Sequence, residues 1–303
     1  MPVTKPKLLQ DKDRIEAALK KAASPLSAAS FVNIFIWQDF FDFECRTIEG
    51  NVCVFASNEV GTFLYVPPLG ETLSLRAIEH CFSIMHERNQ GNSVSRIENV
   101  PQAALKYFDA NRFSFYAKSP DYLYRREDIA SFKGNPFKSP RWAYNRFARD
   151  NRHEFRAYEP SMLNECLGLF ERWAEERAGR NGDPVYRQML QENEKVHERI
   201  LTSADELGII GRVVRVEGQI AGYTFGHALD EKTFVVLCEV TDLSLKGIPA
   251  FIFRELCRDP ALAAFEVINA MDDSDMANIR RTKLSFNPIE RVANYAVSLK
   301  ENL

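Results

Sequence analysis

The chain lacks most of the features that announce a chemistry. None of its six cysteines (Cys45, Cys53, Cys81, Cys166, Cys238, Cys257) lies in a CxxC pair, and most sit in apolar runs. That is the pattern of buried reduced thiols, and it excludes a disulfide framework or a cysteine zinc site. There is no HExxH, EF-hand loop, GxSxG elbow or phosphate-binding Walker loop, so no metal site is expected. The histidines His80, His86, His153, His197 and His227 form no constellation. No apolar run approaches the roughly 20 residues of a membrane span. The polar segment 1–10 holds no apolar signal core, which makes the cytoplasm the default location. Excess charge of one sign is also missing. A net charge of −3 gives no strong overall pull toward nucleic acid or anionic lipid, and no DNA partner is expected, although a local basic patch can still attract either.

What is present suits a soluble α+β protein. The 303 residues are 45% hydrophobic and 27% charged, enough for two domains or one large one. Helical spacing of Ile15, Leu19 and Ala22 predicts a first helix over 8–23. Phe31, Phe35, Trp37, Phe40, Phe41 and Phe43 make an aromatic stripe that reads as core. Strands are expected at 43–48, 52–56 and 62–66, with a turn at Glu49-Gly50-Asn51, and a helix over 73–88. A second unit opens with a strand at 155–158 and helices from Pro160 and over 184–204. Strands at 209–216 and 220–227 flank the turn Glu217-Gly218-Gln219. A strand at 234–240, a helix over 248–257 and a strand at 265–268 follow.

That last strand runs into Asp272, Asp273 and Asp275, then into a cationic helix carrying Arg280 and Lys283. Polar groups at a strand's carboxyl end and a helix's amino end sit where layered α/β folds bind ligands. The acids are equally suited to capping that helix. Glu239 closes the apolar run 234–238, where burial raises a carboxylate pKa and suits it to accept a proton from an amine. Pairing with an arginine is the structural alternative. Gly247, between that strand and the next helix, offers bare backbone to phosphate, and Lys246 adds a charge. Pro249 removes one N–H there but also fits a first helical turn. Upstream, Lys138, Arg141, Arg146, Arg149, Arg152 and Arg156 alternate with Trp142, Tyr144 and Phe147. That mixture fits phosphate and base contacts, or a solvated connecting helix with its aromatics in the core.

Three segments carry a family resemblance. Asn269, Asp273, Arg280, Lys283, Ser285 and Pro288 match a signature that runs Asn-Arg-Glu-x-Asp-Leu-Gly, then Leu-Arg-x-x-Lys-x-Ser-Tyr-x-Pro. Asp121-Tyr122-Leu123-Tyr124 matches Asp-Tyr-Val-Tyr, and Asp128 to Gly134 follows a second element. Arg141, Asn145 and Phe147 match a third. In these residues the chain resembles standalone bacterial proteins of the phosphatidylglycerol lysyltransferase C-terminal domain family. It departs from them at Ala270 and Met271, where the family has arginine and glutamate, and at Ser274-Asp275, where it has Leu-Gly.

The resemblance implies a tandem Gcn5-related N-acetyltransferase-like fold, with mixed sheets flanked by helices. The expected halves are 1–135 and 136–303. It further implies transfer of an acyl or aminoacyl group from an activated carrier to an amine or hydroxyl. Aminoacyl-tRNA is the favoured donor and an acyl-CoA thioester the rival, with no tightly bound cofactor. The acceptor would be a small molecule or lipid-like. Without a membrane span, action of this chain alone on a lipid is not expected. Glu239 and Asp273 are the candidates for proton transfer. Asp121, Tyr124, Arg141, Asn269, Arg280 and Lys283 are candidates for substrate contact, and Lys246 and Gly247 for the carrier. The alternative is a binding module that keeps the fold without the chemistry, which the losses at Ala270 and Met271 favour.

Overall fold

The computed structural model describes residues 7–90, 93–180 and 183–300. The remaining residues, including most of the polar segment 1–10, lie outside that description. The chain forms two compact units, residues 1–121 with 292–303, and residues 122–291. The last described strand therefore returns to the first unit.

In the first unit, β1 (Asp42–Ile48), β2 (Asn51–Asn58) and β3 (Gly61–Leu64) form an antiparallel meander. Glu49 and Gly50, with φ of 48° and 79°, make the tight turn between β1 and β2. β4 (Arg96–Pro101) lies parallel to β3, and β11 (Glu290–Leu299) is antiparallel to β4. The beginning of β5 (Phe113–Arg125) follows β11 in the sheet order. The helix Leu75–Asn89, capped by Ser74, buries Ala77, Ile78, Cys81, Phe82 and Met85 against this sheet. The aromatic stripe is core as expected, with Phe31, Phe35 and Phe43 all buried.

The second unit orders the end of β5, then β10 (Val267–Asn269), β9 (Thr233–Thr241), β8 (Gln219–Ala228), β7 (Ile210–Val216) and β6 (His153–Ala157). Among the described residues, only β9 and β10 run parallel within it. The β7–β8 turn again uses a Glu-Gly pair with positive φ, Glu217 at 51° and Gly218 at 86°. β8 is buried almost throughout because helices cover both faces. On one face Tyr223 meets His197 of the helix Pro184–Thr202. On the other, Gly222 lies against Ile248 of the helix Ile248–Arg258. Strand alternation assigns Thr224 to that second face.

Three strands were not expected from sequence: β4, most of β5, and β11. The first eight or so residues of β5 are largely exposed, with the neighbours Phe115 and Tyr116 exposed on opposite faces, so no buried face marks them as a strand. The expected first helix is broken at Asp11 into Lys7–Gln10 and Lys12–Ala22.

Candidate active site

The three-residue ladder between β9 and β10 positions the site. It covers Thr233 to Val235 against Val267 to Asn269, and β9 then continues to Thr241 paired with β8 but not with β10. Glu239 sits on this continuation, half-buried. No hydrogen bond or ion pair to its carboxyl occurs among the described residues. Desolvation drives its pKa up to about 8, against the pull of the Lys283 ammonium. A carboxylate titrating there is neutral or charged according to small changes in its surroundings, which is what a general base needs. The pairing with an arginine that the sequence allowed is not formed.

The segment after β10 is built around Asp273, which is fully buried. The Tyr122 hydroxyl donates to its Oδ2 at 2.6 Å, Arg280 Nε donates to the same oxygen at 2.8 Å, and the Asp275 N–H donates to Oδ1 at 3.0 Å. Burial and this bond to a carboxylate together raise the Tyr122 pKa. Arg280 is held from the other side by Asp275 at 3.2 Å. The acids do not cap the following helix, Ala277–Ser285; its N-cap is Met276, with no side-chain bond. Asp272 instead accepts from the N–H and hydroxyl of Ser274. Met271, Ser274 and Asp275 adopt left-handed φ of 58°, 49° and 56°. The loop thus stores backbone strain at the site.

Lys283 reaches back to the carbonyls of Ala270 and Met271 and lies 5.8 Å from the centroid of the Tyr122 ring. The buried Tyr124 hydroxyl donates to the Lys283 carbonyl at 2.8 Å, and burial raises its pKa. Asn269, also buried, accepts from the Met271 N–H at 2.8 Å. The structure therefore gathers Tyr124, Asn269, Asp273, Arg280 and Lys283 in one constellation. Tyr122, which has no role expected from sequence, belongs with them. It lies two residues from Tyr124 in β5, and that strand spacing was the available signal.

Other candidates are placed elsewhere. Asp121 is buried in the first unit, where its Oδ2 accepts from the Ser27 N–H at 2.7 Å. Arg141 donates to the carbonyls of Phe132 and Gly134 at 2.6 and 3.1 Å, closing the turn there. Gly247 has φ of 96°, and a Cβ on it would stand 2.2 Å from the Ala143 carbonyl oxygen. The helix Lys138–Asp150 thus lies against the start of the helix Ile248–Arg258. Of the donors at that helix start, the Ile248 N–H turns to the Leu245 carbonyl at 3.4 Å, and Pro249 has none. Lys246 is exposed and has no partner among the described residues. In the basic helix, Tyr144 and Phe147 face the core against Phe251, whereas Trp142 is 63% exposed with Arg146 against its ring. Among the described residues no group of histidine, cysteine, aspartate and glutamate could hold a metal ion. No described helix is long and apolar enough to cross a membrane.

The sequence profile described as phosphatidylglycerol lysyltransferase, C-terminal, matches residues 22–298, and the chain belongs to that family. A conserved protein of unknown function from Bacteroides thetaiotaomicron is 25% identical, with a TM-score of 0.84 over 96% of this chain and 97% of that one. L-PGS from Bacillus licheniformis is 14% identical, with a TM-score of 0.68 over 97% and 93%. A tandem GNAT protein from the clavulanic acid biosynthesis pathway is 9% identical, with a TM-score of 0.51 over 98% and 96%. No curated protein matches the chain in sequence. The fold is the tandem Gcn5-related N-acetyltransferase-like one, and family and fold are transferase-related.

Proposed function

We propose that the protein transfers an aminoacyl group from an aminoacyl-tRNA to an amine or hydroxyl acceptor. The observation that carries this reading is Glu239, a half-buried carboxylate with no hydrogen-bond or ion-pair partner among the described residues and a pKa raised to about 8, on the stretch of β9 that runs beyond its ladder with β10. The acceptor N–H or O–H attacks the ester carbonyl carbon, and its proton passes to Glu239. The bond from that carbon to the carrier's ribose oxygen breaks, and the ribose oxygen takes the proton back. Asp273 has both oxygens engaged, so its part is to fix Arg280 and Tyr122 rather than to carry the proton. Arg280 and Lys283 supply positive charge toward a carboxylate, a phosphate or the developing oxyanion. Lys246 contacts the phosphates of the carrier, and Trp142 with Arg146 presents a face on which a base stacks. Packing of the Ala143 carbonyl against Gly247, with Pro249 next to it, favours an ester donor over coenzyme A held in a pyrophosphate loop.

A thermal-shift screen tests the donor. Bulk tRNA charged with amino acids should raise the Tm more than uncharged tRNA does, while acetyl-CoA and palmitoyl-CoA leave it unmoved. A rise with acyl-CoA alone would transfer the assignment to the thioester. No rise with any carrier would leave the non-catalytic binding module in its place.

A further inference from the structure

Thr224 is fully buried, and its hydroxyl finds no hydrogen-bond partner among the described residues. It stands directly opposite Glu239 in the β8–β9 register, so the two side chains share one face of the sheet. Opposed residues in an antiparallel pair hold their Cβ atoms about 4.5–5.5 Å apart. Yet no bond joins the hydroxyl to the carboxyl. A buried hydroxyl left unpaired is costly, and the carboxyl beside it also has no hydrogen-bond partner among the described residues. A single water oxygen could satisfy two polar groups set one cross-strand step apart.

We propose that Thr224 and Glu239 hold one bridging water between them, and that this water passes the acceptor's proton to Glu239. Thr224 is then a positioning residue for the base. Its O–H donates to the water oxygen, and the water donates to Glu239. When the acceptor's proton arrives, the water gives one proton to the carboxylate and takes one from the acceptor, so it is regenerated. Thr224 cannot replace Glu239 in this scheme, because its hydroxyl does not titrate near neutral pH. The proposal rests on Glu239 acting as the base.

The charged and titratable groups facing Glu239 are Lys283, from the helix Ala277–Ser285, and Cys257, from the helix Ile248–Arg258. Cys238 adjoins it on its own strand. Burial keeps both thiols neutral, so their titration does not overlap that of Glu239.

The test uses the full chain labelled with 13C at glutamate carboxyls, with the Glu239 signal assigned by its loss in Glu239→Gln. Thr224→Val keeps the shape and removes the hydroxyl. It should raise the Glu239 midpoint by at least about half a pH unit, since a donor to the charged form is lost. Thr224→Ser should restore the native midpoint. Where transfer from charged tRNA is measurable, Thr224→Val should slow it about tenfold with KM unchanged. An unmoved midpoint, with a Tm higher than native, would overturn the proposal and mark the hydroxyl as a plain unpaired group. The carboxyl titration needs no substrate. A shifted midpoint in a protein that transfers nothing upholds the water bridge and rejects the transferase reading instead.

Discussion

Glu239 makes the fold sensitive to pH in a direction opposite to that of most carboxylates. Its unfolded pKa is the ordinary 4.5, and its folded value is about 8. Between those limits the folded chain holds one more proton than the unfolded chain, so this group's contribution to stability falls as pH rises through the window. Glu239→Gln carries no charge at any pH and removes that slope. The Tm advantage of the variant over the native protein should therefore grow from pH 5 to about pH 8 and level off by pH 9. An equal Tm difference at both ends would show that the carboxyl titrates normally. The Asp273 cluster makes a second prediction. Tyr122→Phe removes one of the bonds to a fully buried carboxylate, and urea unfolding should show a loss of about 1.5–3 kcal/mol. A loss near zero would mean that the hydroxyl does not hold Asp273. Much of this site was legible in the sequence. Asn269, Asp273, Arg280 and Lys283 stand within one short segment, and a match to a signature marks them together. Thr224 was not legible, because a threonine in an apolar strand carries no signal until its register with Glu239 is known.

At the level of elements, the loops around the site are as constrained as its side chains. Gly247→Ala would meet the Ala143 carbonyl oxygen at 2.2 Å while holding φ at 96°. The helix Lys138–Asp150 would have to move, and the loss should exceed about 3 kcal/mol by chemical denaturation, in line with overpacking added to backbone strain. A variant as stable as the native chain would show that the two helices separate easily. Asp275 shows the opposite case. It occupies a left-handed position, φ 56°, where the family has glycine. Its ion pair with Arg280 is exposed and contributes little. Asp275→Gly should thus stabilise the chain by up to about 1 kcal/mol through relief of that conformation, and a clear loss in a thermal melt would contradict it. The hairpins were readable because Glu-Gly pairs punctuate alternating strands. The exposed start of β5 and the late strand β11 were not, since one leaves its aromatic residues in solvent and the other pairs with strands far away in sequence.

For the whole molecule, the two compact units do not follow a simple cut in the chain. β11 comes from the C-terminal end yet belongs, from Val292, to the first unit. Such a return is invisible to a reading that moves along the sequence in order, because hydrophobic pattern reports an element and not its partner. Family membership extends over residues 22–298 and so takes in both units. The function proposed for them places the chemistry on the second, around Glu239, Asp273, Arg280 and Lys283. The most direct test follows radiolabelled amino acids from charged bulk tRNA into an amine or hydroxyl acceptor, from pH 6 to pH 9, for the native protein and for Glu239→Gln. The account predicts a native rate that rises with pH to a plateau, half-maximal near 8. It also predicts that the variant loses at least about a hundredfold in rate while binding charged tRNA as tightly as the native protein. A variant that transfers at the native rate would contradict it.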